Sequence, residues 1–192
     1  PVLSFVGSTS TVTYVEGDAP TRLFPTVDIA DSDDTRLTGA TITVVGAHGM
    51  DAVVMGQLPP ALTSQTSTTP SPVVDGEGAT SVMTVVLSGS DSLASYRAVL
   101  RGATFSTSSA YPSTADRAVT LQVYDSDSPP QASRPLLTTL AVRRSNERPE
   151  LVLPAKAPVF TERRGPVAIL AGAVLTDPDA TTSPVLARIT RA

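Results

Sequence analysis

The chain repeats itself. Tyr14-Val15-Glu16 and Asp31-Ser32-Asp33 return as Phe160-Thr161-Glu162 and Asp177-Pro178-Asp179, each 146 positions further on. A period of this length exceeds a solenoid repeat and matches one small domain, so the pattern predicts domains in tandem. One domain then occupies residues 1–145, a linker 146–148, and a second copy starts at 149 and runs to 192. Roughly forty residues are too few to close a second core. Leu186 to Ile189 repeats the strand expected around Gly39 to Thr43, so the second copy is expected to be incomplete and the natural chain to continue past Ala192. It is also expected to extend upstream of Pro1, where neither Met nor a signal peptide stands.

Apolar residues alternate at period two almost throughout, the mark of half-buried strands. Val2–Phe5 with Thr11–Tyr14 reads as a broken first strand. Val27 and Ile29 mark the second, and Ala40, Ile42 and Val44 the third. The fourth is Ala52–Met55, the fifth Val82–Leu87, the sixth Ala118–Tyr124 and the seventh Leu136–Val142. Seven short strands with turns between them predict an all-β, immunoglobulin-like sandwich. Leu93, Tyr96 and Leu100 fall at helical spacing between two strands, predicting one or two helical turns that cap the core, with Tyr96 buried. The Ser/Thr/Pro/Gly-rich stretch Pro59–Thr80 is too long for a hairpin loop and reads as a surface excursion, with contact or O-linked sugar as the other roles open to it. No N-glycosylation sequon is present, since Asn146 sits in Asn-Glu-Arg.

Composition narrows the function. Apolar residues make up 41% of the chain, enough for a core. Aromatics make up only 4%, which argues against stacking on bases or sugar rings. The net charge of −4, with Asp28, Asp31, Asp33 and Asp34 crowded together, is the reverse of what nucleic acid requires. No apolar run is long enough to span a membrane. The absence of cysteine excludes a disulfide framework and thiolate metal sites.

The run from Leu87 through Tyr96 and Leu100 to Phe105, then Tyr111-Pro112-Ser113-Thr114, then Arg117 to Asp125, resembles the second half of cadherin-like tandem repeats. Tyr14-Val15-Glu16-Gly17-Asp18 and the Asp31/Asp33 pair resemble the first half. The likeness spans most of residues 1–148 and restarts at 149. It implies a seven-strand Greek-key sandwich joined end to end, with calcium at the junctions of a large extracellular or cell-surface protein. Carried over residue by residue, the family's acidic positions fall on Asp31 and Asp33, on Asp125 and Asp127, on Glu16 and its counterpart Glu162, and on Asp177 and Asp179. Of the family's linker motif, Asn146 and Pro149 are kept, while Arg143, Arg144 and Arg148 stand where acids are the rule.

In such a sandwich the ends of the second and sixth strands share a pole. Asp31, Asp33, Asp125 and Asp127 are then expected to converge, without a nearby Lys or Arg. Carboxylates so placed repel one another, and a hard divalent cation with oxygen ligands relieves the repulsion. The other reading is a pair of solvated acidic turns. Glu16 is expected at the opposite pole, facing Asn146, Asp177 and Asp179 at the junction. There calcium, or an arginine guanidinium in its place, supplies the positive charge. His48, the sole histidine, lies in a turn sequence and reads as a surface residue. With no cysteine, phosphate loop or histidine pair, an enzyme is not expected.

The reading is therefore a structural and adhesive repeat of a surface adhesin, matrix component or hair-like appendage. Its expected partners are neighbouring repeats and other chains of the assembly. The alternatives are a carbohydrate-binding module and a spacer in a large secreted enzyme.

Overall fold

The structure is a computed structural model that describes residues 1–7, 11–75, 78–146, 148–156 and 158–177. It divides into two compact units, Pro1–Ser145 and Asn146–Ala192. Unit 1 holds strands β1 (Val2–Phe5), β2 (Thr11–Val15), β3 (Thr21–Arg22), β4 (Val27–Ala30), β5 (Arg36–Ala47), β6 (Asp51–Val54), β7 (Thr63–Asp75) and β8 (Gly78–Ser92). Helix α1 (Leu93–Arg101) follows, then β9 (Thr104–Thr107), β10 (Arg117–Asp125) and β11 (Leu136–Arg143).

Alternation decides the layers. In β10, Val119, Leu121 and Val123 are buried, and so are Ala40, Ile42 and Val44 in β5. β5 and β10 pair antiparallel with Ile42 opposite Leu121 and Val44 opposite Val119, so the apolar sets share one face. This is the centre of a six-stranded sheet ordered β2-β11-β10-β5-β8-β7. A three-stranded sheet, β3-β9-β6, faces it. The layers meet where the rings of Tyr14 and Phe105 pack edge to face at 5.5 Å. They meet again where Arg117 of β10 reaches Asp51 of β6 at 3.1 Å, with both side chains buried. The protein is an all-β sandwich.

α1 closes one side of the core. Ser92 caps it, its hydroxyl accepting from the Ser95 amide at 3.1 Å. Tyr96 and Leu100 turn inward, as their spacing predicts, and Val99 joins them. Arg101 donates to the Val27 carbonyl at 2.8 Å and Arg97 to that of Ile29 at 2.9 Å, while Arg97 also pairs with Asp28 at 2.7 Å. These contacts dock the helix on β4. The Tyr96 hydroxyl donates to the carbonyl of Gly89 at 2.5 Å. Gly89 has φ +125°, and a Cβ there would stand 2.0 Å from the Ala61 carbonyl oxygen. Only glycine lets β8 pass so close to the chain entering β7.

Two expectations change. The stretch Pro59–Thr80 is largely strand rather than irregular excursion, since β7 pairs antiparallel with β8 in regular register from Thr63 to Pro70. Its Ser/Thr content misled because an edge strand exposed on both faces needs no apolar alternation. The strand count also exceeds seven. The broken first strand divides between two sheets, β1 pairing with β4 and β2 with β11; β3 is only two residues long, and β9 buries the single residue Phe105, so neither carries a periodic signal.

In unit 2, β12 (Glu150–Val152) pairs antiparallel with β13 (Val174–Thr176). Shifted back by the repeat period, this pair falls on β1 and β4 of unit 1, with a register offset of two residues. Leu153, Val159, Phe160 and Ile169 are exposed. The strand expected at Leu186 to Ile189 lies outside the described residues.

Candidate cation site

Asp31 stands immediately after β4, and Asp125 is the last residue of β10. Asp125 continues the inward set of Val119, Leu121 and Val123, and a register shift between Tyr124 and Asp125 marks where β10 leaves β5. Thr38 fixes that backbone by donating its hydroxyl to the Asp125 carbonyl at 2.5 Å. The Asp125 carboxylate is buried, and its Oδ1 accepts from the amides of Gln131 at 2.7 Å and Asp127 at 3.2 Å. It therefore organises the turn after β10.

The carboxylates that come within reach of a common ion are those of Asp31, Asp34 and Asp125, with one oxygen from each inside 4.8 Å of the others. Asp34 also accepts from the Ser126 hydroxyl at 2.7 Å, tying the two loops together. The Asp31 side chain is only 4% exposed, and its Oδ2 lies 3.2 Å from the Pro1 amine. That same oxygen is buried without a hydrogen-bond partner. Burial works to raise the Asp31 carboxyl, but Asp33 and the Pro1 amine outweigh it and hold it below its ordinary value.

Asp33 and Asp127, both expected in the cluster, are exposed. They line a neighbouring cleft of about 420 Å³ together with Leu3, Asp125, Gln131 and Arg134. Asp127 is raised above the usual carboxylate value, chiefly by the charge of Asp125 and then of Asp34. That shift records the like-charge crowding the sequence implies, although the expected absence of a nearby cation is corrected by Arg134 on the rim. Asp34 belongs to the acidic run visible in the sequence. An Asp-x-Asp pattern favours Asp33, but alternation does not hold in a loop, and here the fourth residue turns back toward Asp31.

β10 and β11 are antiparallel and β2 runs parallel to β11, so Glu16, just past β2, lies at the opposite pole from Asp125. It too is buried. Its amide donates to the Arg143 carbonyl at 2.9 Å, and its Oε2 accepts from the Ser145 amide at 3.2 Å. Oε1 is buried without a hydrogen-bond partner. Arg144, a candidate cation for this pole, lays its guanidinium 3.5 Å above the Tyr111 ring and donates to the Pro112 carbonyl at 2.8 Å.

Asn146 opens unit 2, and Asp177 follows β13 there, half-buried. Asp179 lies outside the described residues. His48 stands in the β5–β6 turn, where its amide donates to Asp51 at 3.0 Å.

No helix among the described residues is long and apolar enough to cross a membrane. No protein-family model, curated protein or solved structure matches the chain.

Proposed function

We propose that this chain is a segment of a structural and adhesive, rod-forming array on the cell surface or in the extracellular matrix, whose sandwich ends are stiffened by calcium. The cadherin-like sequence resemblance motivates the reading. The observations that carry it are the convergence of carboxylate oxygens of Asp31, Asp34 and Asp125 at one pole of unit 1 and, at the other, Glu16 Oε1, buried without a hydrogen-bond partner. A buried, unsatisfied anionic oxygen costs free energy that a bound cation returns. At the Asp31 pole, three carboxylates offer up to six oxygens to a cation that takes six to eight, with water completing the shell. On this reading the acidic residues act in assembly and the segment is not catalytic.

Thermal melts followed by tyrosine fluorescence test it, because all four tyrosines lie in unit 1. The parent and an Asp31→Asn/Asp125→Asn double variant are each melted in millimolar calcium and in chelator. Extracellular modules bind calcium with dissociation constants of about 10⁻⁴–10⁻³ M. Calcium at a hundred times its dissociation constant stabilises a fold by about 2.7 kcal/mol, so the parent melts higher in calcium. The double variant loses the contribution of the Asp31 pole, so its calcium-dependent rise is smaller than the parent's. Equal melting temperatures for the parent with and without calcium refute the proposal and leave the acidic loops as solvated turns.

A further inference from the structure

β7 is an unusual edge. It is thirteen residues long and, among the described residues, pairs on one side only, with β8. From Thr63 to Pro70 every side chain is exposed, on both faces of the sheet. Natural edges are blunted by charge, proline, bulges or brevity. The first seven residues, Thr63-Ser64-Gln65-Thr66-Ser67-Thr68-Thr69, have none of these. They carry no charge and no proline, and their register against β8 is unbroken. Proline and a register shift enter only from Pro70 onward. At about 3.3 Å per residue this leaves some 23 Å of uncharged edge, with every second residue turning its N–H and C=O outward.

We propose that this edge pairs with the same edge of a second copy, antiparallel about a two-fold axis through Thr66, so that two six-stranded sheets join into one. The sequence identifies the occupant. About that axis Thr66 meets its own counterpart, Gln65 meets Ser67, Ser64 meets Thr68 and Thr63 meets Thr69. Every cross-strand pair is then hydroxyl with hydroxyl or amide with hydroxyl. Such pairs are favourable on a sheet, and no charge is desolvated on either side. The strand carries no charge, so two copies meet there without like-charge repulsion. An isologous contact of this kind closes as a dimer rather than growing without limit. The pairing is independent of cation binding at the poles.

The chain has no cysteine, so single cysteines read the register directly. Directly opposed antiparallel residues have Cα atoms about 4.5–5.5 Å apart, within the span of a disulfide. Positions four residues out of register are separated by roughly 13 Å along the strand. Thr66→Cys, Ser64→Cys and Thr68→Cys variants of the whole chain are oxidised mildly in chelator, singly and in mixture. Thr66→Cys is expected to form disulfide dimer about tenfold faster than either of the others alone, because pairing replaces collision by a high effective concentration. A mixture of Ser64→Cys with Thr68→Cys is expected to form the heterodimer as fast as Thr66→Cys forms its own. Equal rates for all three single variants, or a mixture no faster than its components, overturn the proposal. Thr66→Lys sets two like charges face to face on the axis and is expected to abolish the dimer in sedimentation velocity while leaving the far-ultraviolet circular dichroism spectrum of the fold unchanged. A Thr66→Lys protein that sediments as the parent does also overturns it.

Discussion

Arg117 is the largest fully buried side chain among the described residues, and its environment sets a quantitative test of the core. Its Nε donates to Asp51 Oδ2 at 3.1 Å, and its Nη1 donates to the carbonyls of Ser113 at 2.6 Å and Ala115 at 2.5 Å. Nη2 is buried without a hydrogen-bond partner. The Asp51 side chain is 1% exposed and accepts one further bond, from the His48 amide. Arg117→Met therefore strands a carboxylate in the core, and Asp51→Leu strands a guanidinium. Each change is expected to cost about 3–5 kcal/mol, the usual penalty for leaving one member of a buried pair. The double variant removes both charges and the unpaired Nη2, and loses only the bonds to two carbonyls and one amide. It is expected to cost about 2–3 kcal/mol, far less than the sum of the singles. Urea titration followed by tyrosine fluorescence measures this in unit 1 alone. With a slope of about 2 kcal/mol/M, each single change lowers the midpoint by about 2 M. A single variant that costs under about 1 kcal/mol, or a double variant equal to the sum, would show that the pair is not the electrostatic link between the two sheets.

Tyr96→Ala removes a wholly buried ring and the hydrogen bond to Gly89, and is expected to cost about 3–5 kcal/mol in the same titration; a loss under about 1 kcal/mol would place the ring outside the core. Burial, and then the charge of Asp91, push the Tyr96 hydroxyl up to about 12. The folded state thus keeps a proton that the unfolded chain releases near its ordinary 10.0, so stability is complete below pH 10 and falls as pH rises towards 12. Melting temperatures across that window are expected to drop more steeply for the parent than for Tyr96→Phe, which has no proton to lose, and parallel curves would contradict this.

The central strands were legible because burial and hydrogen bonding agree there. Val119-Thr120-Leu121-Gln122-Val123 alternates, and the structure buries each apolar member. Leu93, Tyr96 and Leu100 were legible for the same reason at helical period, although the half-buried Leu93 packs at the margin of the core. β7 was not legible. Its order comes from the partner strand β8, whose Met83, Val85 and Leu87 carry the buried face, while β7 supplies only backbone. Arg117 was equally hidden. A charged residue at the start of an alternating strand reads as solvent-facing until its counter-charge is located, and Asp51 lies sixty-six residues away in the other sheet. Pairings of that separation are fixed by topology, and no local window contains them.

The poles show where side-chain identity and geometry part. Strand order, read from alternation, was sufficient to bring the end of β4 near the end of β10 and to send Glu16 to the far end of the sandwich. The choice between Asp33 and Asp34 was beyond it, because loop residues follow turn geometry rather than a two-residue period. That distinction bears on assembly. The carboxylates of Asp31 and Glu16 lie at strand ends, whereas the outward N–H and C=O groups of Thr63–Thr69 lie along a strand side. Strand ends and strand sides face perpendicular directions, so the proposed cation sites at the poles and the proposed pairing through β7 use different surfaces. Neither surface competes with the other, and each proposed contact can be removed by substitutions that leave the other intact: Asp31→Asn with Asp125→Asn for the first, Thr66→Lys for the second.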